Sequence, residues 1–229
     1  MLGVGIVTLF GVSMALRKKF SASNFWSDCI KYNCTSAQYI GELCRFLLLT
    51  SSKPEETSHK VRFMFGNGLR PQIWSQFVKR FNIQQIGEVY GATESNANLA
   101  NFDNTCGAVG FVPQCATFLY PVDLVRCNED DGEPLRDKNG RCMRCEPGEP
   151  GVFIGKINPH HAARSFAGYA DKSASEKKVI KDVFKEGDMY FNSSDILVMD
   201  IFGYYFFKDR TGDTFRWRGE NVASTEVEG

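Results

Sequence analysis

Surplus charge of either sign is missing from this 229-residue chain: Lys+Arg and Asp+Glu each count 27, for a formal net charge of zero. A dedicated binder of polyanions carries a basic excess that draws its partner in, so no nucleic acid is expected as a partner. Cysteine is thin as well, with 8 positions spread over the whole length, whereas small secreted scaffolds place their disulfides densely. The thiols are therefore expected to be reduced, in an intracellular protein. Repeats and low-complexity tracts are lacking too. With 43% hydrophobic, 13% aromatic and 24% charged residues, the composition excludes disordered, collagen-like and coiled-coil chains. What remains is a globular chain, long enough for one large core or two modest ones.

No apolar run is long enough to cross a bilayer. Residues 1–16 are largely hydrophobic, but Gly3, Gly5 and Gly11 dilute them and the run falls short of the ~20 residues that a spanning helix needs. A secretory leader carries its positive charge ahead of the apolar run, and here Arg17-Lys18-Lys19 follows it. The segment is expected to be a buried element of a soluble domain.

Periodicity then supplies an outline. Phe25, Trp26, Cys29 and Ile30 fall on one helical face and predict a helix over residues 21–32 with Ser23 as its cap. Tyr39, Ile40, Leu43, Cys44 and Leu47 predict a second helix. Residues 61–65 read as a buried strand, Gly66-Asn67-Gly68 as a tight turn, and Pro71 as the start of a helix carrying Trp74, Phe77, Val78 and Phe81. A further strand is predicted over residues 83–89. Strand, glycine turn, helix and strand in succession form the unit of an α/β fold with parallel pairing.

After about residue 105 the pattern changes. Turn-rich stretches at 129–140 and 146–151 separate short apolar runs at 122–127 and 152–157, which predicts a β-rich subdomain. A helix is predicted over 173–184, and a hairpin pairs 196–199 with 204–207 around Gly203. Thr225 and Glu228 have the spacing of a capping box.

Two stretches carry chemistry. Tyr90-Gly91-Ala92-Thr93-Glu94 directly follows a predicted strand, where open α/β sheets bind ligands. It offers an aromatic face for a base, a hydroxyl for a phosphate oxygen and a carboxylate able to hold Mg²⁺; a plain polar turn is the competing reading. Far downstream, Asp195 at the start of a strand could accept hydrogen bonds from both ribose hydroxyls, and Arg210, within the polar run 209–221, could clamp sugar or phosphate; a solvated surface, with Arg216, Trp217 and Arg218 on an exposed amphipathic strand, is the competing reading. Other polar groups read more simply. Cys142-Met143-Arg144-Cys145 lacks the second pair a structural zinc needs, His160-His161 reads as exposed loop, and Glu129-Asp130-Asp131 as a solvated turn.

In order and spacing these two stretches resemble the adenylate-forming superfamily, and most closely its fatty acid transport protein / very-long-chain acyl-CoA synthetase branch. Ser21-Ala22-Ser23-Asn24-Phe25-Trp26, Gln38-Tyr39-Ile40-Gly41-Glu42-Leu43-Cys44-Arg45, Gly66-Asn67-Gly68-Leu69-Arg70-Pro71 and residues 209–229 all look like that branch. The resemblance implies part of the large N-terminal domain of an adenylate-forming enzyme: α/β over 1–105, a β-rich subdomain over 106–208, and at 209–229 a hinge with the start of a small C-terminal domain.

It also implies a reaction, in which ATP and a long-chain or very-long-chain fatty acid give an acyl-adenylate that CoA then attacks, coupled to fatty acid uptake. Tyr90 would stack on adenine, Gly91 would sit beside it, Thr93 would contact the phosphate that becomes AMP, and Glu94 would hold Mg²⁺. Asp195 and Arg210 would grip the ribose, and Gly66, Asn67 and Gly68 would line the adenine and acyl pocket. Membrane association on the cytosolic face of the endoplasmic reticulum or plasma membrane is implied for the full-length protein.

Departures from the pattern are specific. The Ser/Thr/Gly-rich phosphate loop and the C-terminal lysine of full-length members do not occur in this sequence, so the chain alone is expected to be inactive. Ser193-Ser194 stands where the superfamily has Thr-Gly before the ribose aspartate, and Asn221 replaces a common arginine. The alternative expectation is a non-catalytic lipid- or nucleotide-binding remnant of that fold.

Overall fold

From Ser36 onward strands and helices alternate as a parallel sheet requires. The computed structural model describes residues 2–92, 95–128, 132–161, 164–166, 168, 172–210, 214–217 and 220–223. The chain forms two compact units, one built from residues 1–88 and 102–107, the other from 89–101 and 108–229.

The first unit contains α1 (Leu2–Phe10), α2 (Phe25–Lys31), β1 (Ser36–Ile40), α3 (Gly41–Leu49), α4 (Glu55–Ser58), β2 (Phe63–Asn67), α5 (Pro71–Arg80) and most of β3 (Gln85–Tyr90). Strand β1 runs parallel to β2, and β2 to β3. Pro71 opens α5 as expected, its fixed φ suiting the first turn. Tyr39 and Ile40 correct the second predicted helix: they end β1, and the helix starts only at Gly41. Their spacing to Leu43, Cys44 and Leu47 mimics one helical face, but pairing with β2 overrides it, with Tyr39 opposite Gly66. Helix α2 is likewise shorter than expected. A single 3₁₀ turn at Ala22–Asn24 precedes it, and Ser23 caps nothing because Asn24 holds the N-cap position.

The opening segment departs most from its expectation. Leu9 and Phe10 of α1 are 79% and 75% exposed, and Leu16 is exposed as well, so this stretch is not buried. No helix among the described residues is long and apolar enough to cross a membrane.

Trp26 organises one end of this core. It stacks on His59 with ring centroids 4.3 Å apart and packs against Phe81 at 4.7 Å. His59 accepts from the Val61 N–H at Nδ1 (3.1 Å), so Nε2 carries the proton that meets the Phe81 carbonyl at 3.0 Å. That fixed neutral tautomer suits its environment, since burial holds the imidazole below its ordinary pKa. At the end of α5, Arg80 forms a forked pair with buried Glu56 (2.6 and 3.0 Å) and also donates to the Leu48 and Thr50 carbonyls.

The second unit contains β4 (Leu99–Asn101), β5 (Ala108–Phe111), β6 (Val122–Val125), β7 (Pro150–Lys156), α6 (Lys172–Lys177), β8 (Val179–Lys181), β9 (Met189–Met199), β10 (Tyr204–Arg210), β11 (Thr214–Trp217) and β12 (Glu220–Ala223). An antiparallel sheet runs in the order β5-β10-β9-β7-β6, with β8 also paired to β9. The long strand β9 is its spine: β7 follows one edge, while β10 and β8 share the other. The helix expected over 173–184 stops at Lys177, because β-branched Val179 and Ile180 join the sheet instead. The hairpin around Gly203 forms as expected. Gly203 has φ +96, and Asp200 accepts the Phe202 and Tyr204 N–H groups at 2.9 Å each.

All eight cysteines are free thiols. Among the described residues no three His, Cys, Asp or Glu side chains converge as a metal site. The expected capping box at Thr225 and Glu228 and the acidic turn at 129–131 fall outside the described residues.

Candidate functional site

Within β9 the ladder to β7 is broken at one place. Val152 pairs with Ile196 and Ile154 with Asn192, so Ser193, Ser194 and Asp195 together face the single residue Phe153. Such a bulge bends a strand and re-aims a side chain. Ser194 makes the bend with φ +60. The displaced backbone groups are re-bonded locally: Ser193 Oγ donates to the Phe153 carbonyl at 2.8 Å and accepts from the Asp195 N–H at 3.1 Å, while the Ser194 N–H reaches Asn192 Oδ1 at 2.8 Å. Lys178 Nζ donates to Ser194 Oγ at 2.6 Å.

A second irregularity lies across the hairpin. Phe207 pairs with Leu197 but Asp209 with Ile196, so Lys208 is an extra residue in β10. Unbroken pairing would set Asp209 opposite Asp195; the extra residue sets Arg210 there instead. Arg210 Nε donates to Asp195 Oδ1 at 2.8 Å, and the Tyr90 hydroxyl donates to Oδ2 at 2.6 Å. Asp195 as a whole is 8% exposed. Each of its oxygens thus holds one donor and keeps room for a second. The Tyr90 ring meets Phe153 edge-on, with centroids 5.4 Å apart at 86°. Burial, followed by the Asp195 charge, pushes the phenol above its ordinary pKa, so the hydroxyl stays a donor.

Three expected site residues, Tyr90, Asp195 and Arg210, therefore meet in one place, although 105 positions separate the first two. Asp195 lies inside β9 rather than at a strand start: it is the last of the three bulged residues, Ser193 to Asp195. At Gly91 an added Cβ would stand 1.9 Å from Asn98 Oδ1, so that side chain covers the glycine. Thr93 and Glu94 lie outside the described residues. His160 and His161 are exposed, as expected of a loop.

Gly66, Asn67 and Gly68 belong to the first unit. Gly66 and Asn67 still belong to β2, and only Gly68, with φ +80, turns. The tight turn expected of all three is thus confined to one residue. Tyr39, Gly66 and Glu88 form one row across β1, β2 and β3. An added Cβ at Gly66 would stand 2.0 Å from the Tyr39 carbonyl oxygen and 2.8 Å from its ring. Over that gap the Tyr39 hydroxyl donates to Glu88 Oε2, while Oε1 accepts from the Gly68 N–H. Sequence reading missed Tyr39 and Glu88. The one available signal was a glutamate within the predicted strand, two residues before Tyr90.

The family model for AMP-binding enzymes matches residues 1–151. The chain belongs to the AMP-binding enzyme family. It is 54% identical over 227 residues to long-chain fatty acid transport protein 1 of Mus musculus, covering 99% of this chain and 35% of the relative. It is 46% identical over 228 residues to long-chain fatty acid transport protein 2 of Rattus norvegicus, covering 99% and 36%. This AMP-binding chain thus spans about a third of the length of the curated relatives it matches. Among solved structures, ATP-bound MatB from Rhodopseudomonas palustris superimposes with a TM-score of 0.69 at 18% identity, over 99% of this chain and 40% of that one. Unliganded MenE, the O-succinylbenzoate CoA synthetase of Bacillus subtilis, gives 0.62 at 20% identity, over 99% and 44%. At that identity the likeness concerns the fold, which is the mixed α/β fold of adenylate-forming enzymes.

Proposed function

We propose that this chain supplies the adenosine-binding part of an ATP-dependent long-chain or very-long-chain acyl-CoA synthetase that couples fatty acid uptake to thioester formation. The observation that carries the reading is the Tyr90–Asp195–Arg210 constellation. A ribose presents two adjacent hydroxyls, and the carboxylate of Asp195 retains one acceptor position on each oxygen. Arg210 pairs with that carboxylate and orients it, and the bond from Tyr90 fixes the plane of a ring that stacks on adenine. Both bulges serve this arrangement: one aims Asp195, the other brings Arg210 into phase with it.

Thr93 would contact the phosphate that becomes AMP, and Glu94 would hold Mg²⁺. Magnesium bound with substrate phosphates takes one or two carboxylates, so a single glutamate fits that donor set. The ion would stabilise charge on the pyrophosphate leaving group. CoA is the acyl acceptor. Residues 1–105 and 106–208 act as the α/β and β-rich parts of the AMP-binding domain, and 209–229 as the hinge and the start of the small C-terminal domain. The full-length protein works against the cytosolic face of a membrane, as its similarity to fatty acid transport proteins suggests.

Calorimetric titration of AMP into the chain tests the reading. Asp195→Asn removes the charge that the ribose hydroxyls meet and is expected to weaken AMP about tenfold or more, a charged hydrogen bond being worth roughly 1.5–3 kcal/mol. Unchanged AMP affinity in Asp195→Asn and in Arg210→Ala would overturn the ribose assignment.

A further inference from the structure

A cavity of about 360 Å³ opens on the antiparallel sheet, and every residue that lines it belongs to the second unit. That volume is the size of a pocket for a small organic molecule. Asp123 of β6 pairs with Ile154, and Lys156, two residues further along β7, pairs with Tyr190 of β9. Residues paired across a sheet share a face, as do residues two apart on one strand. Asp123, Lys156 and Tyr190 therefore rise from one face and line the cavity together. Phe184 and Lys185 line it from the turn between β8 and β9, and Phe118 from the turn before β6.

The acids of this cavity are engaged already. Asp188 accepts the Val183, Phe184 and Lys185 N–H groups at 2.6, 3.1 and 3.0 Å, which fixes the turn that carries Phe184 and Lys185. Asp123 accepts the Leu124 N–H at 3.0 Å and Arg144 Nε at 2.6 Å. Arg144 also lies over the Phe184 ring, 3.6 Å from its centroid. The carboxylate and the aromatic face that would draw a cationic ligand are thus taken by the protein's own arginine. The lysines stand otherwise. Lys156 and Lys185 are exposed and enter none of the ion pairs among the described residues, and the Arg144 guanidinium has donors beyond Nε. Tyr190 adds a neutral donor, because burial, followed by the Asp188 and Asp123 charges, pushes its phenol up to about 12. Beside these groups Phe118 leaves an aromatic ring 75% exposed.

We propose that this cavity is a second binding site, for an amphipathic organic anion: Lys156, Lys185 and Arg144 hold a carboxylate, phosphate or sulfonate head group, and Phe118 and Pro121 cover the apolar body. The site shares no residue with the Tyr90, Asp195 and Arg210 constellation, so it stands or falls apart from the adenosine reading.

Titration of anilinonaphthalene sulfonate, an anionic group on an aromatic body, into the whole chain tests the proposal, with NMR of the backbone amides reporting where it binds. Saturable shifts are expected at Lys156, Phe184, Lys185 and Tyr190. Replacing both lysines by glutamine should weaken binding about tenfold or more, as expected for lost charged hydrogen bonds, and Phe118→Ser several-fold. All three side chains are exposed, so these variants should fold as the wild type does. Decyltrimethylammonium should not displace the probe. Displacement by monomeric decyl phosphate would identify a free amphiphile as the ligand, and displacement only by vesicles containing phosphatidic acid would identify a lipid head group. Shifts confined to other residues, equal affinity in the lysine variant, or displacement by the cation would overturn the proposal. A parallel loss of binding in Asp195→Asn would also overturn it, because the probe would then be reading the adenosine site.

Discussion

Two tyrosine–carboxylate pairs stand at the heart of the two units, and they are built in opposite ways. In the second unit Tyr90 donates to Asp195, whose charge is balanced by Arg210 across the hairpin. In the first, Tyr39 donates to Glu88, which receives only neutral hydroxyl and amide donors. Burial is the largest influence on Glu88 and raises its pKa to about 7, against the lowering effect of those hydrogen bonds. The backbones differ as well. Asp195 sits on a bulged strand that needs a left-handed serine, whereas Glu88 sits on a regular strand whose neighbour must be glycine. A cation partner balances a buried acid and leaves its oxygens room for further donors. Without one, the acid is held between proton and charge and serves to tie its surroundings.

Glycines beside each pair give the largest expected contrast. At Gly66 a methyl group meets backbone, the Tyr39 carbonyl oxygen, which cannot step aside without parting β1 from β2. Gly66→Ala is expected to destabilise the first unit by about 3 kcal/mol or more. At Gly91 the methyl meets the end of the Asn98 side chain, which can rotate away, so Gly91→Ala should cost about 1 kcal/mol. Urea unfolding reports the first through Trp26 and Trp74, both buried in that unit, and exchange of the Leu197 amide reports the second. Equal costs would mean that the two glycines play the same part.

Amide substitutions probe the charges themselves. Asp195→Asn removes the charged acceptor that Arg210 Nε meets at 2.8 Å and should cost roughly 1.5–3 kcal/mol. Glu88→Gln should cost far less at pH 8, because no ionic partner is lost. The pH dependence carries the sign of the difference. A carboxyl whose pKa is about 7 when folded and 4.5 as its reference value binds its proton more tightly in the folded state. Its contribution is therefore fully present below pH 4.5 and is lost as pH rises through 7, by on the order of 3 kcal/mol. The groups facing Glu88 do not mask this titration: burial pushes the Tyr39 phenol and the Cys44 thiol well above their ordinary values, so both stay neutral. In Glu88→Gln that downward slope between pH 4.5 and 7 should vanish. If the slope persists, another group is responsible.

Legibility in the sequence follows the same division. Local chemistry was readable where one residue type enforces one geometry: Pro71 opening α5, Gly203 turning the hairpin, and the change from helical to short-strand spacing past residue 105. Tyr39 and Ile40 were misread because strand and helix abut there, and their spacing satisfies a helical period that only pairing with β2 breaks. The family pattern pointed to Tyr90, Asp195 and Arg210, and the fold brings them together. Neither bulge was legible, since each is a property of register between strands. Glu88 was illegible for a related reason: nothing local says that a glutamate in this strand faces a tyrosine 49 residues earlier.

The smallest expected effect tests whether the serine in the bulge is a compromise. Adenylate-forming enzymes place glycine where Ser194 stands, and φ +60 explains why glycine suits the position. A side chain in the left-handed region costs about 1–2 kcal/mol, and the bond from Lys178 to Ser194 Oγ, at 2.6 Å, returns about 1 kcal/mol. Ser194→Ala keeps the strain and loses the bond, so it should destabilise by about 1 kcal/mol. Ser194→Gly loses the bond and the strain together and should lie within about 0.5 kcal/mol of the wild type. The informative quantity is the difference between the two variants, because the lost hydrogen bond cancels and only the backbone conformation remains. Exchange of the Leu197 amide measures it on the same strand, and AMP titration shows whether Asp195 keeps its aim. Indistinguishable Ala and Gly variants would mean that the bulge tolerates a side chain at no cost, and that the hydroxyl alone accounts for serine at this position.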